Sequence, residues 1–343
     1  MIRLNKEEAL CFDDILLVPQ SSDIKSRKDI NLRMGYYDLP IVSSPMDTVT
    51  GWEMAAHIAK AGGLGIIHRY MNTAERINQT LMAISGAGGN RIACYGIGVA
   101  ISAKEAMDSQ FIEDIISTGA MWVCIDTANG HGDACALAVR SLKSRYPKLK
   151  VMAGNVSTKE GFARLARMGA DAVRVGIGGG ATCTTRLVSG HGVPTLQSII
   201  DCYEFKVENN IDTLIIADGG IKNTGDMVKA FAAGSNMVML GSMLAGTDES
   251  PGEIRDGHKV FRGMASENAQ MNWRGEVSVA EGISTMIPYK GSVLKIIEEI
   301  KGGLGSGCSY SGVPALGDLV YESHYIKVSA LSRAETIPHA KKA

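Results

Sequence analysis

The chain has 343 residues, 45% of them hydrophobic, and its 35 lysines and arginines almost balance 36 aspartates and glutamates. The net charge of -1 provides no field that would hold a polyanion or an anionic bilayer, which disfavours nucleic-acid-binding and membrane-surface functions. The sequence has no apolar run of about 18 residues, and residues 1–14 carry acidic side chains, so we expect a cytoplasmic protein. Seven cysteines without a CxxC spacing argue against a disulfide framework and against a cysteine-rich zinc site.

Eight short apolar runs recur along the chain, and they are continuous rather than alternating. They are IVSS from residue 41, LGII from 64, IACYGIGV from 92, MWVCID from 121, KVMAG from 150, AVRVGIG from 172, TLIIAD from 213 and MVMLG from 237. Continuous apolarity is typical of strands buried on both faces, and the 22 to 41 residues from one start to the next leave room for a crossover helix. The sequence therefore predicts an α/β fold, a (β/α)8 barrel, as a single domain over residues 1–343.

The connecting segments carry helix signals. Met107, Phe111 and Ile115 recur every fourth residue and predict one helix. Ser157, followed by Glu160, forms a capping-box pattern that predicts the start of another. Four glycines just ahead of apolar runs predict helix C-termini, namely Gly62, Gly119, Gly169 and Gly234.

Two connections are much longer than minimal loops. Residues 178–197, here called the cysteine loop, follow the sixth strand, and residues 242–292, here called the flap, follow the eighth. Extra length after a barrel strand lies on the carboxyl-terminal face, where barrel enzymes place their chemistry, so we expect the active site there. Residues 1–40 are interpreted as a lid or plug, and residues 330–343 as a tail ending in a disordered HAKKA segment.

The stretch GIGGGATCTTR, residues 176–186, is the most informative part of the chain. Its glycines let the backbone approach a ligand closely, which makes Cys183 an accessible cysteine and a candidate nucleophile. Thr185 is able to pass a proton if a carboxylate orients it. Backbone carbonyls of the same loop are suited to a cation cage, for which we expect a monovalent ion, K+. The predicted cation ligands are Gly178, Gly180, Cys183 and Arg186.

Glycine-containing turns follow the last two predicted strands. Asp218, Gly219 and Gly220 end the seventh run, and Gly241 and Ser242 end the eighth. Barrel enzymes commonly bind a phosphate at these two positions through backbone amides. Either turn alone is equally well explained as an ordinary turn, but together they favour a phosphorylated small-molecule substrate.

These motifs, in this order, resemble the family that contains IMP dehydrogenase and GMP reductase. The resembling segments are FDDILLVP (12–19), SSPMDTVT (43–50), GGLGIIHR (62–69), DTANGHG (126–132), AGNVST (153–158), GIGGGATCTTR (176–186), ADGGI (217–221), VMLGSMLAGTDESPG (238–252), FRGMASE (261–267) and PYKG (288–291). The resemblance covers nearly the whole chain. It implies a (β/α)8 barrel in which Cys183 bonds covalently to C2 of a purine nucleoside monophosphate, while a nicotinamide cofactor exchanges hydride at that carbon.

The resemblance also implies roles for individual residues. Glu281, matched by its distance to PYKG, would complete a catalytic set with Cys183 and Thr185. The implied substrate-binding residues are Ser44, Met46, Asp218, Gly219, Gly220, Gly241, Ser242, Gly263, Met264, Ala265 and Gly282. The implied cofactor-binding residues are Ser26, Arg27, Arg69, Asp126, Thr127, Ala128, Ile177, Gly178, Ser306 and Cys308. We also expect a homotetramer, and the near-zero net charge predicts neither a nucleic-acid nor a membrane partner.

Four features favour the reductase branch, which converts GMP to IMP and ammonia with NADPH. Residues 72–91 leave no room for the regulatory domain pair of typical IMP dehydrogenases, a property that reductases share. LysSerArg at 25–27 resembles the reductase cofactor segment, and residues 263–281 lack the Arg-Tyr pair with which the dehydrogenase flap activates water. AsnGly at 129–130, Glu267 and Cys308 also resemble a reductase more than a dehydrogenase.

Other residues depart from that branch. GlyGlyGlyAla at 178–181 stands where the family usually has Gly-Pro-Gly-Ser, GlySer follows the eighth strand, and residues 329–339 resemble a dehydrogenase. Two alternatives stay open: an IMP dehydrogenase without regulatory domains, which makes XMP with NAD, and a catalytically inactive nucleotide-binding regulator on the same barrel. The intact set of Cys183, Thr185 and Glu281 argues against the regulator.

Overall fold

The structure is a computed structural model that describes residues 8–336. The strands are β1 (Ile15–Leu17), β2 (Ile41–Ser43), β3 (Leu64–Ile67), β4 (Ile97–Ile101), β5 (Trp122–Asp126), β6 (Lys150–Val156), β7 (Ala172–Val175), β8 (Leu214–Asp218), β9 (Met237–Leu240), β10 (His258–Arg262), β11 (Ser284–Pro288) and β12 (Tyr325–Lys327). The α-helices are α1 (Trp52–Lys60), α2 (Thr73–Gly86), α3 (Arg91–Tyr95), α4 (Ser109–Ser117), α5 (Asp133–Arg145), α6 (Lys159–Arg167), α7 (Thr185–Val188), α8 (Thr195–Glu208), α9 (Thr224–Ala232), α10 (Glu267–Arg274), α11 (Val293–Tyr310), α12 (Leu319–Glu322) and α13 (Arg333–Thr336). Short 3-10 helices cover Phe12–Asp14, Arg27–Asp29, Glu105–Met107, Leu316–Asp318 and Ala330–Ser332.

Strands β2 to β9 form a closed parallel barrel in chain order. β2 closes it by pairing with β3 on one side, Val42 opposite Leu64, and with β9 on the other, Ser43 opposite Leu240. The predicted (β/α)8 barrel is therefore confirmed. Parallel order brings the carboxyl ends of all eight strands to one face, and the cysteine loop and the flap both start there.

Two apolar clusters explain why the strand runs are continuously hydrophobic. One fills the barrel interior and includes Val42, Ile66 and Met152. The other lies between the strands and the surrounding helices and includes Ile41, Ile67 and the residues of the helix faces. Because alternate residues of each strand face one cluster or the other, a polar residue is disfavoured at either kind of position.

The helix and strand boundaries differ from the sequence predictions at three places. The third predicted strand is helical over Arg91–Tyr95, and strand β4 begins only at Ile97, because an eight-residue apolar run does not distinguish a buried helix from a buried strand. Thr158, rather than Ser157, caps α6 by accepting the N–H of Gly161 at 3.2 Å. Met107 lies in a 3-10 turn and is 49% exposed, since helix α4 starts after it.

The four glycines predicted at helix ends all have positive φ angles: Gly62 87°, Gly119 92°, Gly169 97° and Gly234 102°. Only glycine adopts this conformation without strain, which is why it ends helices so often. These four turns return the chain from the helix layer to the barrel.

The flap and residues 8–40 both contain regular secondary structure. β10 and β11 form an antiparallel hairpin that carries helix α10 between its strands. β1 pairs with β12 near the other end of the chain, and Phe12 beside β1 is buried. Across residues 8–336 no helix is long and apolar enough to cross a bilayer. The HAKKA segment lies outside the described residues.

Candidate active site

A cavity of about 320 Å³ lies at the carboxyl ends of β2, β7, β8 and β9. The predicted substrate residues that line it are Ser44, Met46, Asp218, Gly219, Gly220, Gly241 and Ser242. The cysteine loop contributes Gly180, Ala181 and Thr182, and Phe12 of the N-terminal segment forms part of the wall. Segments far apart in sequence therefore converge on one cavity at the face where barrel enzymes bind their substrates.

The two glycine turns after β8 and β9 lie side by side, because Asp218 pairs with Met239 in the barrel. Gly219 and Gly220 both have positive φ, 91° and 79°. In residues 8–336, no protein acceptor takes a hydrogen bond from the backbone amides of Gly219, Gly220, Gly241 or Ser242. Unpaired amides at the edge of a cavity are the groups that bind a phosphate dianion.

Cys183, Thr185 and Glu281 form a continuous hydrogen-bonded chain. The thiol of Cys183 donates to Oγ1 of Thr185 at 3.2 Å, and the Thr185 hydroxyl donates to Oε2 of Glu281 at 2.7 Å. Cys183 is half-buried beside Thr182, which lines the cavity. This hydrogen-bonded chain offers a path for a proton between the thiol, the hydroxyl and the carboxylate.

Three backbone segments meet beside Cys183: the cysteine loop, residues 263–266 and residues 281–283. The amide of Thr184 donates to the Glu281 carbonyl at 3.0 Å, and the amide of Glu281 donates to the Ala265 carbonyl at 3.0 Å. A Cβ at Gly282 would lie 3.1 Å from the Thr182 carbonyl oxygen, so a side chain there would push the segments apart. The structure therefore places Gly263, Ala265 and Gly282 against the backbone of the cysteine loop, next to Cys183.

A second cavity, of about 340 Å³, lies between helix α10 and the residues that follow β3. Arg69 and Tyr70 form one wall, and Met264, Trp273 and Arg274 contribute to the opposite one. Met264 also accepts the amide N–H of Asp47 on its sulfur at 3.4 Å. Of the predicted site residues, Arg69 and Met264 lie here rather than in the first cavity.

Sequence reasoning missed a buried charge network at the barrel mouth, centred on Arg174 of β7. Its guanidinium donates from Nη1 to Oδ1 of Asp126 at 2.7 Å and from Nη2 to Oδ2 of Asp218 at 2.9 Å. Arg69 pairs with the other oxygen of Asp126 at 3.3 Å, and Asn155 donates to Asp218 at 2.7 Å. Burial alone would raise the pKa of Asp126, but the charges of Arg174 and Arg69 outweigh it and lower that pKa. The sequence feature that could have indicated this network was the single arginine inside the apolar run AVRVG.

Sequence reasoning also missed the attachment of the flap to the loop after β2. Asp47 forms a buried ion pair with Arg262 of β10, and the Trp273 indole N–H donates to Oδ2 of Asp47 at 2.8 Å. His68 lies in the same region and is buried, and burial is the main reason that its pKa is lowered to about 4. The Asp47 carboxylate thus holds both the hairpin and helix α10 beside the part of the first cavity that Ser44 and Met46 line.

The predicted cofactor residues fall into two groups. Arg69, Asp126, Thr127, Ala128, Ile177 and Gly178 belong to the carboxyl-terminal face of the barrel. Ser26 caps the 3-10 helix Arg27–Asp29, which lies against helix α11, and α11 carries Ser306 and Cys308. Arg27 is exposed, and its guanidinium lies 5.7 Å from the ring centre of Tyr310. Cys308 is fully buried, backbone and side chain alike, and burial raises the pKa of its thiol to about 12, so it exposes no atom to a ligand.

The predicted cation loop is a tight turn. The amide of Cys183 donates to the Gly180 carbonyl at 3.0 Å, and Gly178 has a φ of 82°. The side chain of Arg186 packs over Gly178 and donates to the Val193 carbonyl at 3.1 Å. The oxygens available in this turn are neutral carbonyls, which are suited to an alkali cation.

Comparisons with known proteins identify the family of this chain. A family model described as "IMP dehydrogenase / GMP reductase domain" matches residues 9–339. The chain is 36% identical to inosine-5'-monophosphate dehydrogenase of Borreliella burgdorferi, with 97% of each protein covered. It is 34% identical to GMP reductase 2 of Homo sapiens, with 96% of this chain and 97% of that protein covered.

A solved structure has the same fold along its whole length. It is a GMP reductase variant from Trypanosoma brucei in complex with guanosine 5'-monophosphate, and it superimposes with a TM-score of 0.89 at 25% identity, covering 98% of each chain. A family match over nearly the whole chain, together with a shared barrel, is sufficient to assign membership. The chain belongs to the IMP dehydrogenase / GMP reductase family.

Proposed function

We propose that this member of an oxidoreductase family is a GMP reductase, which converts GMP to IMP and ammonia with NADPH. The observation that carries the proposal is the hydrogen-bonded chain from Cys183 through Thr185 to Glu281. It provides a nucleophile for C2 of the purine and, at the same carbon, a route for the proton that a leaving amine needs.

In this mechanism the Cys183 proton moves to Thr185 as the Thr185 proton moves to Glu281. The thiolate then adds to C2 of GMP. Glu281 returns its proton through Thr185 to the amine, the C2–N bond breaks, and ammonia leaves a covalent thioimidate on Cys183. NADPH, when bound, supplies the hydride that C2 accepts. The C2–S bond breaks as that carbon is reduced, and Cys183 is released with IMP.

Different parts of the cavity wall bind different parts of GMP. The unpaired amides of Gly219, Gly220, Gly241 and Ser242 hold the phosphate. Asp218, which also lines the cavity, accepts the ribose hydroxyls on its free oxygen. This arrangement fixes the nucleotide at both its phosphate and its sugar, and so places the base beside the cysteine loop.

The chain's own residues fit a dinucleotide with a 2'-phosphate. Arg27 is exposed and makes no ion pair within the described residues, so its guanidinium is available for a dianion. Arg69 is already paired with Asp126 and held over the Tyr70 ring at 4.7 Å, which leaves it less able to choose between NADPH and NADH. We assign the discrimination to Arg27.

Two finer assignments complete the proposal. K+ is held by the carbonyl oxygens of Gly178, Gly180, Cys183 and Arg186, and replacing KCl by choline chloride should lower both the rate and the Tm. If the rate and the Tm are the same in both salts, the K+ assignment is wrong.

The enzyme is a homotetramer, for which light scattering after gel filtration should give four times the chain mass. If light scattering gives the mass of one chain, the homotetramer assignment is wrong.

An IMP dehydrogenase remains the second candidate, favoured by the 36% identical relative that bears that name. Alignment length does not separate the two candidates: the alignment spans 347 residues with the human reductase and 399 with the Borreliella dehydrogenase, against 343 residues in this chain, and an IMP dehydrogenase without regulatory domains would be short as well.

Absorbance at 340 nm separates the candidates. GMP, dGMP and IMP are each tested with the oxidised and reduced forms of both nicotinamide cofactors. Loss of NADPH absorbance with GMP supports the reductase, and gain of NADH absorbance with IMP supports the dehydrogenase. Tight nucleotide binding without turnover in any combination would indicate a non-catalytic regulator.

A further inference from the structure

Arg174 bridges two carboxylates that serve different ligands in the proposed function. Asp218 lines the nucleotide cavity, whereas Asp126 is absent from its walls and belongs to the predicted cofactor residues. The Arg174 guanidinium contacts both, with Nη1 on Asp126 at 2.7 Å and Nε and Nη2 on Asp218 at 3.1 and 2.9 Å. Its side chain is only 8% exposed, so water does not screen these contacts well.

The protein donors that bind Asp218 all bind the same carboxylate oxygen. Oδ2 accepts from Arg174 and from Asn155, while Oδ1 accepts from no protein donor within residues 8–336. The protein therefore fixes one oxygen and leaves the other for a ligand. Asp126 differs, because Arg174 occupies Oδ1 and Arg69 occupies Oδ2. A cofactor hydroxyl that binds Asp126 has to share an oxygen with one of the two arginines.

We propose that Arg174 is a positioning residue that couples nucleotide binding to cofactor binding. A nucleotide that draws Asp218 toward its ribose changes how strongly the Arg174 guanidinium hydrogen-bonds to each of the two carboxylates. The strength of its bond to Asp126 then determines how strongly Asp126 accepts a hydrogen bond from the cofactor. Two ligands that bias one shared element are coupled reciprocally, and such couplings are typically about 5- to 150-fold in affinity.

Shape, rather than charge alone, is the reason for an arginine at this position. A guanidinium presents several N–H groups in a fixed plane and serves two carboxylates at once, whereas a lysine ammonium is a point charge on a flexible chain. Arg174→Lys therefore keeps the charge balance of the buried network but loses one of the two contacts. A purely structural ion pair would be affected in stability and not in the coupling between ligands.

The test measures binding without turnover, using GMP and NADP+, a pair that does not react in the reductase direction. Calorimetry gives the Kd of NADP+ with and without saturating GMP. We expect at least a fivefold ratio in the wild type and less than twofold in Arg174→Lys, with each single-ligand Kd raised by less than about tenfold. Arg140→Lys, an exposed arginine on α5, is the matched control and should keep the wild-type ratio.

A second variant keeps the test decisive if Arg174→Lys does not fold. Asp126→Asn changes no residue that lines the nucleotide cavity and should still reduce the ratio toward one. A wild type without coupling, or a ratio that survives both substitutions, overturns the proposal. The inference rests on the proposed function, but the two fail separately: turnover of IMP with NAD instead of GMP with NADPH rejects the reductase assignment and leaves this ratio measurable.

Discussion

At the scale of single residues, Cys183 carries the proposed chemistry. Cys183→Ala removes the nucleophile while the amides of Gly219 and Ser242 stay in place. We expect turnover to fall by several orders of magnitude and the Kd of GMP to change by less than about threefold. Steady-state kinetics and calorimetry measure the two effects. Cys94→Ala, away from the cavity, is the control, and activity above about a hundredth of wild type in Cys183→Ala would rule out covalent catalysis.

Glu281 tests the direction in which the proton moves. Glu281→Gln keeps the shape of the side chain and loses the proton that Thr185 passes on, so ammonia release should be suppressed. The hydride step moves no proton once the Cys183 thiolate has formed, so hydride exchange between IMP and NADP+ should fall much less than ammonia release. Glu276→Gln, on an exposed part of the same flap, is the matched control. Equal loss of both half-reactions would give Glu281 a purely structural role.

Arg27 is expected to select the cofactor. A bidentate guanidinium–phosphate contact contributes about 1.5 to 3 kcal/mol, which corresponds to roughly a 10- to 150-fold change in affinity. Arg27→Ala should therefore raise KM for NADPH by about that factor and leave KM for NADH nearly unchanged. The neighbouring exposed Lys28→Ala serves as the control for general loss of positive charge. Equal effects on both cofactors would remove the assignment.

At the scale of elements, helix α10 depends on one hydrogen bond to the loop after β2. Trp273→Phe removes the bond to Asp47 but leaves the Asp47–Arg262 pair. We expect amide exchange over residues 267–274 to accelerate about tenfold, equivalent to about 1.4 kcal/mol of local stability. kcat/KM should also fall, because residues 263–266 precede the helix directly. Exposed Met271→Leu on α10 is the control, and unchanged protection in Trp273→Phe would mean that packing alone holds the helix.

At the scale of the whole molecule, His68 makes stability depend on pH. Its Nδ1 accepts the Tyr70 amide at 3.2 Å, which only the neutral ring does, and its pKa of about 4 lies below the ordinary value of 6.5. Between about pH 4 and pH 6.5 the His68 imidazole is therefore mostly protonated in the unfolded chain and mostly neutral in the folded chain. The stability due to neutral His68 is complete above pH 6.5 and decreases as pH falls toward 4.

The expected loss is about 2 to 3 kcal/mol between pH 7.5 and 4.5, measured as a fall in Tm. In His68→Asn, whose side-chain oxygen is able to accept the same amide, that part of the pH dependence should disappear. Exposed His258→Asn should keep the wild-type profile. Identical profiles for wild type and His68→Asn would assign the acid sensitivity to other groups.

The sequence by itself determined those features that depend on neighbouring residues. Continuous apolar runs such as MVMLG predict buried parallel strands, because both faces of such a strand are covered, and eight of them predict the barrel. Glycines such as Gly62 predict helix ends, because positive φ is a local requirement. The glycine turns at 219–220 and 241–242 were predicted as one phosphate site, because parallel topology places successive strand ends together.

Only the tertiary structure decided which distant side chains meet. Thr185 and Glu281 are 96 residues apart, and their pairing followed from family resemblance rather than from any local pattern. Arg174 looks like an interruption in a strand until β5 and β8 bring carboxylates to it, and Asp47 resembles a loop residue until Trp273, 226 positions away, donates to it. These contacts depend on side-chain direction at the ends of separate strands, because a buried charge is stable only where another element supplies its partner.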